Sequence, residues 1–362
     1  MPSKPDENAQ RHWYCKCSIL GCLAALAALL AAPRARAVEE VMPKHITADT
    51  LKAVRAGLEF LAKSQESDGS WTNDEGGRAY PVAMTALAGT AILANGNTPT
   101  RGRYAPQLEK ATEYLLGCST TSGLITGPTQ DNNMPMHGHG FALMYLACVY
   151  GSETKPALRE RTKEAIDKAV KLTSEGQSAE GGWTYIPGAG DEGSVTVTQV
   201  QALRAVHNAG LAVPRGTIAQ AVNYIEQCST PEGGICYSLS NRGGPRIAIS
   251  AAAVATLYNA GQYDAPVANR CLEYVWRHFK DSQNWRHGGH DFYCQLYAAQ
   301  GFYMAGDKYW DNYFPAARDQ LIAMQDKSDG SWQGDGIGKV YGTAIALVIL
   351  QLPYKYLPVY QR

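Results

Sequence analysis

The chain lacks any imbalance of charge: 33 Lys and Arg stand against 33 Asp and Glu in 362 residues. No run of like charge and no basic face is present, so the electrostatic footprint of a nucleic-acid partner is missing. Charged residues make up only 18% and hydrophobic residues 45%, enough to bury a substantial core. No apolar stretch reaches the ~20 residues of a membrane span. The longest candidate, 18–32, is about 15 residues long. Cysteine is scarce as well. Of nine, Cys15, Cys17 and Cys22 fall near that first apolar stretch, and the other six do not follow a disulfide framework. Cys148 and Cys294 lie in apolar helical runs and read as small buried hydrophobes. Only Cys228 and Cys236 are close enough in sequence for a loop staple. The residues leave open whether these two are bridged or both free.

The first 37 residues read as a signal peptide. Arg11 and Lys16 give a basic start, 18–32 is rich in Leu and Ala, and Ala35-Arg36-Ala37 supplies a small-x-small cleavage site. The mature chain is expected to begin at Val38 and to be exported, to the periplasm or beyond, with no membrane anchor after cleavage. An uncleaved anchor is the alternative. No twin arginine is present, and Cys22 sits inside the apolar run, not at its end. Removing five basic and two acidic residues with the leader leaves 28 against 31, a formal charge of −3.

The rest of the chain, 38–362, repeats itself. Asp68-Gly69-Ser70-Trp71 returns as Asp329-Gly330-Ser331-Trp332. Between them come Ser122-Gly123-Leu124-Ile125, Glu180-Gly181-Gly182-Trp183, Glu232-Gly233-Gly234-Ile235 and Ser282-Gln283-Asn284-Trp285. The last residues of these six tetrads are 54, 58, 52, 50 and 47 apart, a period that suits a helix pair. Ahead of the first tetrad, Leu51, Val54, Leu58 and Leu61 fall at steps of three and four, the pattern of an amphipathic helix. After each tetrad comes a polar loop and then a helix apolar nearly all round, as in 82–94, 247–260 and 340–350. A helix apolar on every side is buried on every side. Five of these second helices stop at a glycine: Gly96, Gly151, Gly210, Gly261 and Gly306. The expectation is an all-α fold, an α/α toroid of six helix-pair repeats, with outer amphipathic and inner apolar helices. The best-preserved tetrads are the first and last, which favours a closed ring with its ends together over an open superhelix that needs polar caps.

Arg55-Ala56, Phe60-Leu61, Gln65 and Gly69-Ser70-Trp71 resemble, in order and spacing, the QW motif of squalene and oxidosqualene cyclases. Ile322, Gln325 and Gly330-Ser331-Trp332 match its second half, as do Gln177 and Gly181-Gly182-Trp183. Over about 47–352 the chain looks like a prenyltransferase/squalene-cyclase repeat protein. Within that group, 191–199 and 290–300 with Trp310 are similar to bacterial secreted single-toroid members. The resemblance implies that each Gln ties its repeat to a helix end while the Trp packs over it, and it speaks for fold, not activity. The family's DxDD acid motif and DDxxD magnesium motif are both absent. The stretch 243–249, where protein prenyltransferases place the Asp and Cys of their zinc site, contains neither. His290 to Tyr293 resembles the region of that site's His, but one ligand does not make a site. No metal site and no cofactor is assigned.

In such a ring the loops before the inner helices rim the axis, so polar residues there meet any ligand. His137 and His139 precede the second inner helix. Asp191, Glu192, Ser194, Thr196, Thr198 and Gln199 open the third, and Arg246 and Ser250 the fourth. His290, Asp291, Tyr293 and Gln295 open the fifth, and Tyr341 the sixth. Asp191, Asp291, His290 and Tyr293 are the candidates for catalysis. His137, His139, Thr196, Gln199, Arg246, Gln295 and Tyr341 are the candidates for ligand contact. The plainer reading makes Asp191, Ser194 and Asp291 helix N-caps, the two His structural, and the inner aromatics core filling. His137 and His139 could share a metal only with a third ligand such as Asp291. Three functions remain open. The first is a terpenoid-type enzyme or binder with an apolar small molecule in its central cavity, the second a non-catalytic ligand- or protein-binding toroid. The third is an exported carbohydrate-active enzyme with paired acids.

Overall fold

In a computed structural model the chain is described over residues 42–73, 80–127, 133–153, 155–280 and 289–361. The leader, its cleavage site and the tetrad that ends at Trp285 lie outside these residues. From Pro43 onward the described residues belong to one unit, built of twelve α-helices and no strands. They are α1 (Ala48–Lys63), α2 (Pro81–Leu93), α3 (Ala105–Gly117), α4 (Met136–Val149), α5 (Pro156–Glu175) and α6 (Gly193–Asn208). Then follow α7 (Arg215–Cys228), α8 (Ile247–Asn259), α9 (Pro266–Phe279), α10 (Asp291–Ala305), α11 (Asp307–Met324) and α12 (Lys339–Gln351).

Odd-numbered helices bury one stripe, as α1 does with Ala53, Val54, Leu58 and Leu61. Even-numbered helices are buried almost all round; every residue of α2 is. The even set forms a cycle: α2 packs on α4, α4 on α6, α6 on α8, α8 on α10, α10 on α12, and α12 on α2. The ring is closed, and the open superhelix is excluded. No described helix is long and apolar enough to cross a membrane.

One joint, used repeatedly, holds the ring. Gln65 Nε2 donates to the carbonyls of Gly69 and Gln107 at 3.0 and 2.9 Å. Gln177 does the same to Gly181 and Thr217 at 2.8 and 2.9 Å. Each Gln therefore ties its own tetrad to the next outer helix. The tetrad Trp fills the space beneath: Trp71, Trp183 and Trp332 are fully buried and donate from Nε1 to Leu61, Thr173 and Leu321 carbonyls at 2.7–2.8 Å. The tetrad glycine lets the next helix come close. A Cβ on Gly330, at φ +85°, would stand 2.6 Å from the Ala56 carbonyl oxygen, and Gly123 and Gly233 repeat the arrangement.

The tail departs from the expected pattern. After α12 the chain makes two single turns, Leu352–Tyr354 and Pro358–Tyr360. The second packs on α6, which belongs to the third repeat and so lies across the ring from the sixth. Leu357, Val359 and Tyr360 are buried. The tail thus crosses the end of the ring where the inner helices finish, and the Tyr360 phenol sits near Cys148 of α4 and Tyr297 of α10.

Candidate functional site at the rim

In each of the five repeats whose tetrad is described, one hydrogen bond anchors the rim loop. The N–H of the last tetrad residue donates to a side chain in the first turns of the inner helix. Trp71 bonds Thr85, Trp183 bonds Thr196, Ile235 bonds Ser250 and Trp332 bonds Thr343, all at 2.9–3.0 Å. In the second repeat Ile125 donates to His139 Nδ1 at 3.1 Å. His139 therefore occupies a slot that elsewhere holds Thr or Ser. Because Nδ1 accepts, Nε2 carries the proton and faces Thr173 Oγ1 at 2.9 Å. Both nitrogens are used and the ring is fully buried, so His139 is structural. The arrangement with His137 around a metal is not formed, and burial lowers the His139 pKa to about 4.

Three other candidates are structural too. Thr196 is the anchor just described. Gln199 is buried and donates to the Met136 carbonyl at 2.8 Å, joining α6 to α4. Gln295 is buried and accepts from Tyr313 at 2.7 Å.

The acidic residues divide differently from the sequence expectation. Asp191 is not an N-cap; its Oδ2 accepts from Leu239 N–H at 2.7 Å and latches the third rim loop to the fourth. Ser194 is not the cap either. Glu192 is: it accepts from the N–H groups of Ser194 and Val195 at 2.9 and 3.0 Å and from Ser194 Oγ at 2.5 Å. Only 2% of Glu192 is exposed, and desolvation raises its pKa even against those bonds and the nearby Arg246. Asp291 does not cap α10, whose N-cap position is His290, an exposed residue. The capping carboxylate comes from the sixth repeat: Asp335 accepts from Phe292 and Tyr293 N–H at 3.0 and 3.1 Å, and from Tyr341 Oη at 3.3 Å. Burial and the neighbouring Asp291 raise the Asp335 pKa.

Tyr293 joins the two capped helices. Its hydroxyl donates to the Ser194 carbonyl at 3.4 Å, and its ring meets Tyr297 edge-on at 4.8 Å. Burial pushes the Tyr293 and Tyr341 phenols well above their usual range, so both stay protonated. Deeper in the ring, Gln201 of α6 donates to Gln300 of α10.

One half-buried cluster remains at the rim. His137 of α4 has Ser194 Oγ 3.3 Å from its Nε2, Tyr185 at 5.8 Å and Phe141 at 6.4 Å between ring centroids. Tyr185 and Tyr237 share a hydroxyl–hydroxyl bond of 2.9 Å, and the exposed Arg246 guanidinium lies 4.4 Å over the Tyr237 ring. Both tyrosines stand two residues after their tetrads, so aligning the third and fourth repeats would have found them. Asp335 had a weaker signal, a lone non-glycine in Gly334-Asp335-Gly336 at φ +50°. The six described cysteines are all free thiols, Cys228 and Cys236 included.

No protein-family pattern matches the chain, and no curated protein matches it by sequence. Solved structures do. The type II terpene cyclase MstE from Scytonema, in its apo form, is 14% identical, with TM-score 0.57 over 86% of this chain and 100% of that one. An inactive variant of an α-1,6-mannanase of Salegentibacter, in complex with α-1,6-mannotriose, is 10% identical, with TM-score 0.60 over 83% and 98%. A protein from Actinoplanes is 16% identical, with TM-score 0.54 over 86% and 99%. The class that fold and neighbours define is the α/α toroid. At these identities the likeness is one of fold.

Proposed function

We propose that this chain is an exported toroid of the terpenoid-cyclase type that binds a small ligand at its rim instead of cyclising one on its axis. The observation that carries the reading is the occupation of the axis by the chain's own side chains. Tyr293 reaches from α10 to α6, Gln201 meets Gln300 below it, and the tail brings Tyr360 in from the far end. The missing DxDD and DDxxD motifs agree with it. The rim offers instead the His137, Tyr185 and Tyr237 rings, the Arg246 cation, and exposed apolar side chains at Met134 and Ile186. Such a mixture suits a ligand with an apolar face and polar edges.

The test is incubation of the purified mature protein with squalene and geranylgeranyl compounds, followed by mass spectrometry of the extract. Recovery of unchanged substrate is expected. Formation of a cyclic product would return the reaction to the axis and overturn the reading.

A carbohydrate-active enzyme has one observation in its favour. Glu192 and Asp335 cap the two helices that Tyr293 joins, and a pair of carboxyl groups is what glycoside cleavage needs. Both carboxylates, however, are already committed to capping helices. Release of reducing ends from an oligosaccharide panel, lost in Glu192→Gln, would favour this reading over the first.

A further inference from the structure

Two histidines two residues apart differ in how their hydrogen bonds are used. His139 has a protein partner on each nitrogen. His137 has one partner only. Ser194 has a single hydroxyl proton, and at 2.5 Å it is given to Glu192 Oε2. Ser194 Oγ therefore meets His137 Nε2 as an acceptor, and Nε2 must carry the imidazole proton. The chain Glu192–Ser194–His137 fixes one tautomer. The Nδ1 lone pair is left with no partner among the described residues on a half-buried ring that Tyr185 and Phe141 flank.

We propose that His137 Nδ1 is the hydrogen-bond acceptor for a ligand hydroxyl, and that the rim site takes an uncharged ring compound bearing hydroxyl groups. The proposal rests on the rim-binding reading and names its ligand class. Among the described residues nothing donates to this lone pair, so the donor is assigned to the ligand. Desolvation lowers the His137 pKa to about 4, so the imidazole is neutral at physiological pH and accepts rather than donates. The flanking rings suit the C–H face of an alicyclic ring. The linked Tyr185 and Tyr237 hydroxyls and the Arg246 guanidinium can meet further oxygens. A saccharide and a cyclic terpenoid alcohol both present this chemistry. Ser194 and Glu192 act as positioning residues through the imidazole.

The experiment is nitrogen-detected NMR of the mature protein labelled at histidine, with methyl glucoside and menthol as separate probes. Menthyl methyl ether, which keeps the ring but has no donor, is the control. In the free protein His137 is expected as the Nε2–H tautomer. A hydroxyl probe is expected to move its Nδ1 resonance and the ether is not; whichever alcohol does so identifies the source. Ser194→Ala is expected to mix the tautomers and weaken the effective probe about tenfold, the loss of one hydrogen bond. His137→Phe should keep the ring packing, checked by an unchanged Tm, and bind alcohol and ether alike. An Nδ1–H tautomer in the free protein overturns the proposal. So do probe shifts at Tyr185 and Tyr237 without one at His137, although rim binding then survives. No shift anywhere on the rim overturns both.

Discussion

Gln325 Nε2 reaches back across the whole sequence to the carbonyl of Ala53 at 2.9 Å, and holds the Gly330 carbonyl of its own tetrad at 2.9 Å. This is the joint that Gln65 and Gln177 make between consecutive repeats, used here between the sixth repeat and the first. The ring is closed by the same chemistry that builds it. Around the joint, Asn73 donates to the Ile337 carbonyl at 2.9 Å, Gln351 to that of Ala91 at 3.0 Å, and Asp311 holds Lys44 and His45.

Truncating the closing tryptophan should therefore cost as much as truncating an internal one. Trp332→Ala and Trp71→Ala are each expected to lose about 3–5 kcal/mol, as for other large buried aromatics. Urea unfolding measures it. An unchanged Tm for Trp332→Ala contradicts closure.

The tetrad glycine gives a sharper comparison. Gly330→Ala places a Cβ against the Ala56 carbonyl at positive φ, and is expected to cost about 2–5 kcal/mol. Gly336→Ala also sits at positive φ, +67°, but in open space, and should cost about 1 kcal/mol. Equal losses would mean that backbone strain, not the close approach of two repeats, sets the requirement for glycine.

His139 predicts a pH window. Its pKa falls from 6.5 free to about 4 in the fold, so the fold prefers the neutral ring. That preference is complete above pH 6.5 and is lost as the pH falls towards 4, about 3 kcal/mol at the limit. His139→Thr restores the residue type of the other repeats and cannot titrate. The variant is expected to be less stable than the parent at pH 7, from lost packing, and to close much of that gap by pH 5. A gap independent of pH would show that the fold does not disfavour the charged form of His139.

The fold was legible because its chemistry recurs. Each Gln, Gly and Trp does the same job at a period near 50, so one joint read correctly gives the rest. Much of the rim was illegible for the opposite reason. Asp191 and Ser194 are the preferred capping types, yet the cap of α6 is Glu192 between them, which capping preference does not select. The cap of α10 comes from Asp335, more than 40 residues away in the next repeat, and no local pattern announces a partner so distant in sequence. His139 reads in the sequence as one of a pair with His137, and becomes ordinary once aligned with Thr85, Thr196, Ser250 and Thr343. The tail leaves no signal in the sequence because Leu357 to Tyr360 is too short to show a period.

Export is a separate expectation from Ala35-Arg36-Ala37. Sequencing of the protein recovered outside the cytoplasm should begin at Val38. An intact leader in the membrane fraction would make the segment an anchor.

The central claim is that the ligand sits on the rim and the axis belongs to the protein. Native mass spectrometry of the protein recovered from its own host tests it most directly, comparing the parent with Tyr237→Ala and Tyr297→Phe. The account predicts a small molecule retained by the parent and by Tyr297→Phe but lost from Tyr237→Ala. Loss from Tyr297→Phe with retention in Tyr237→Ala would place the ligand on the axis and contradict it.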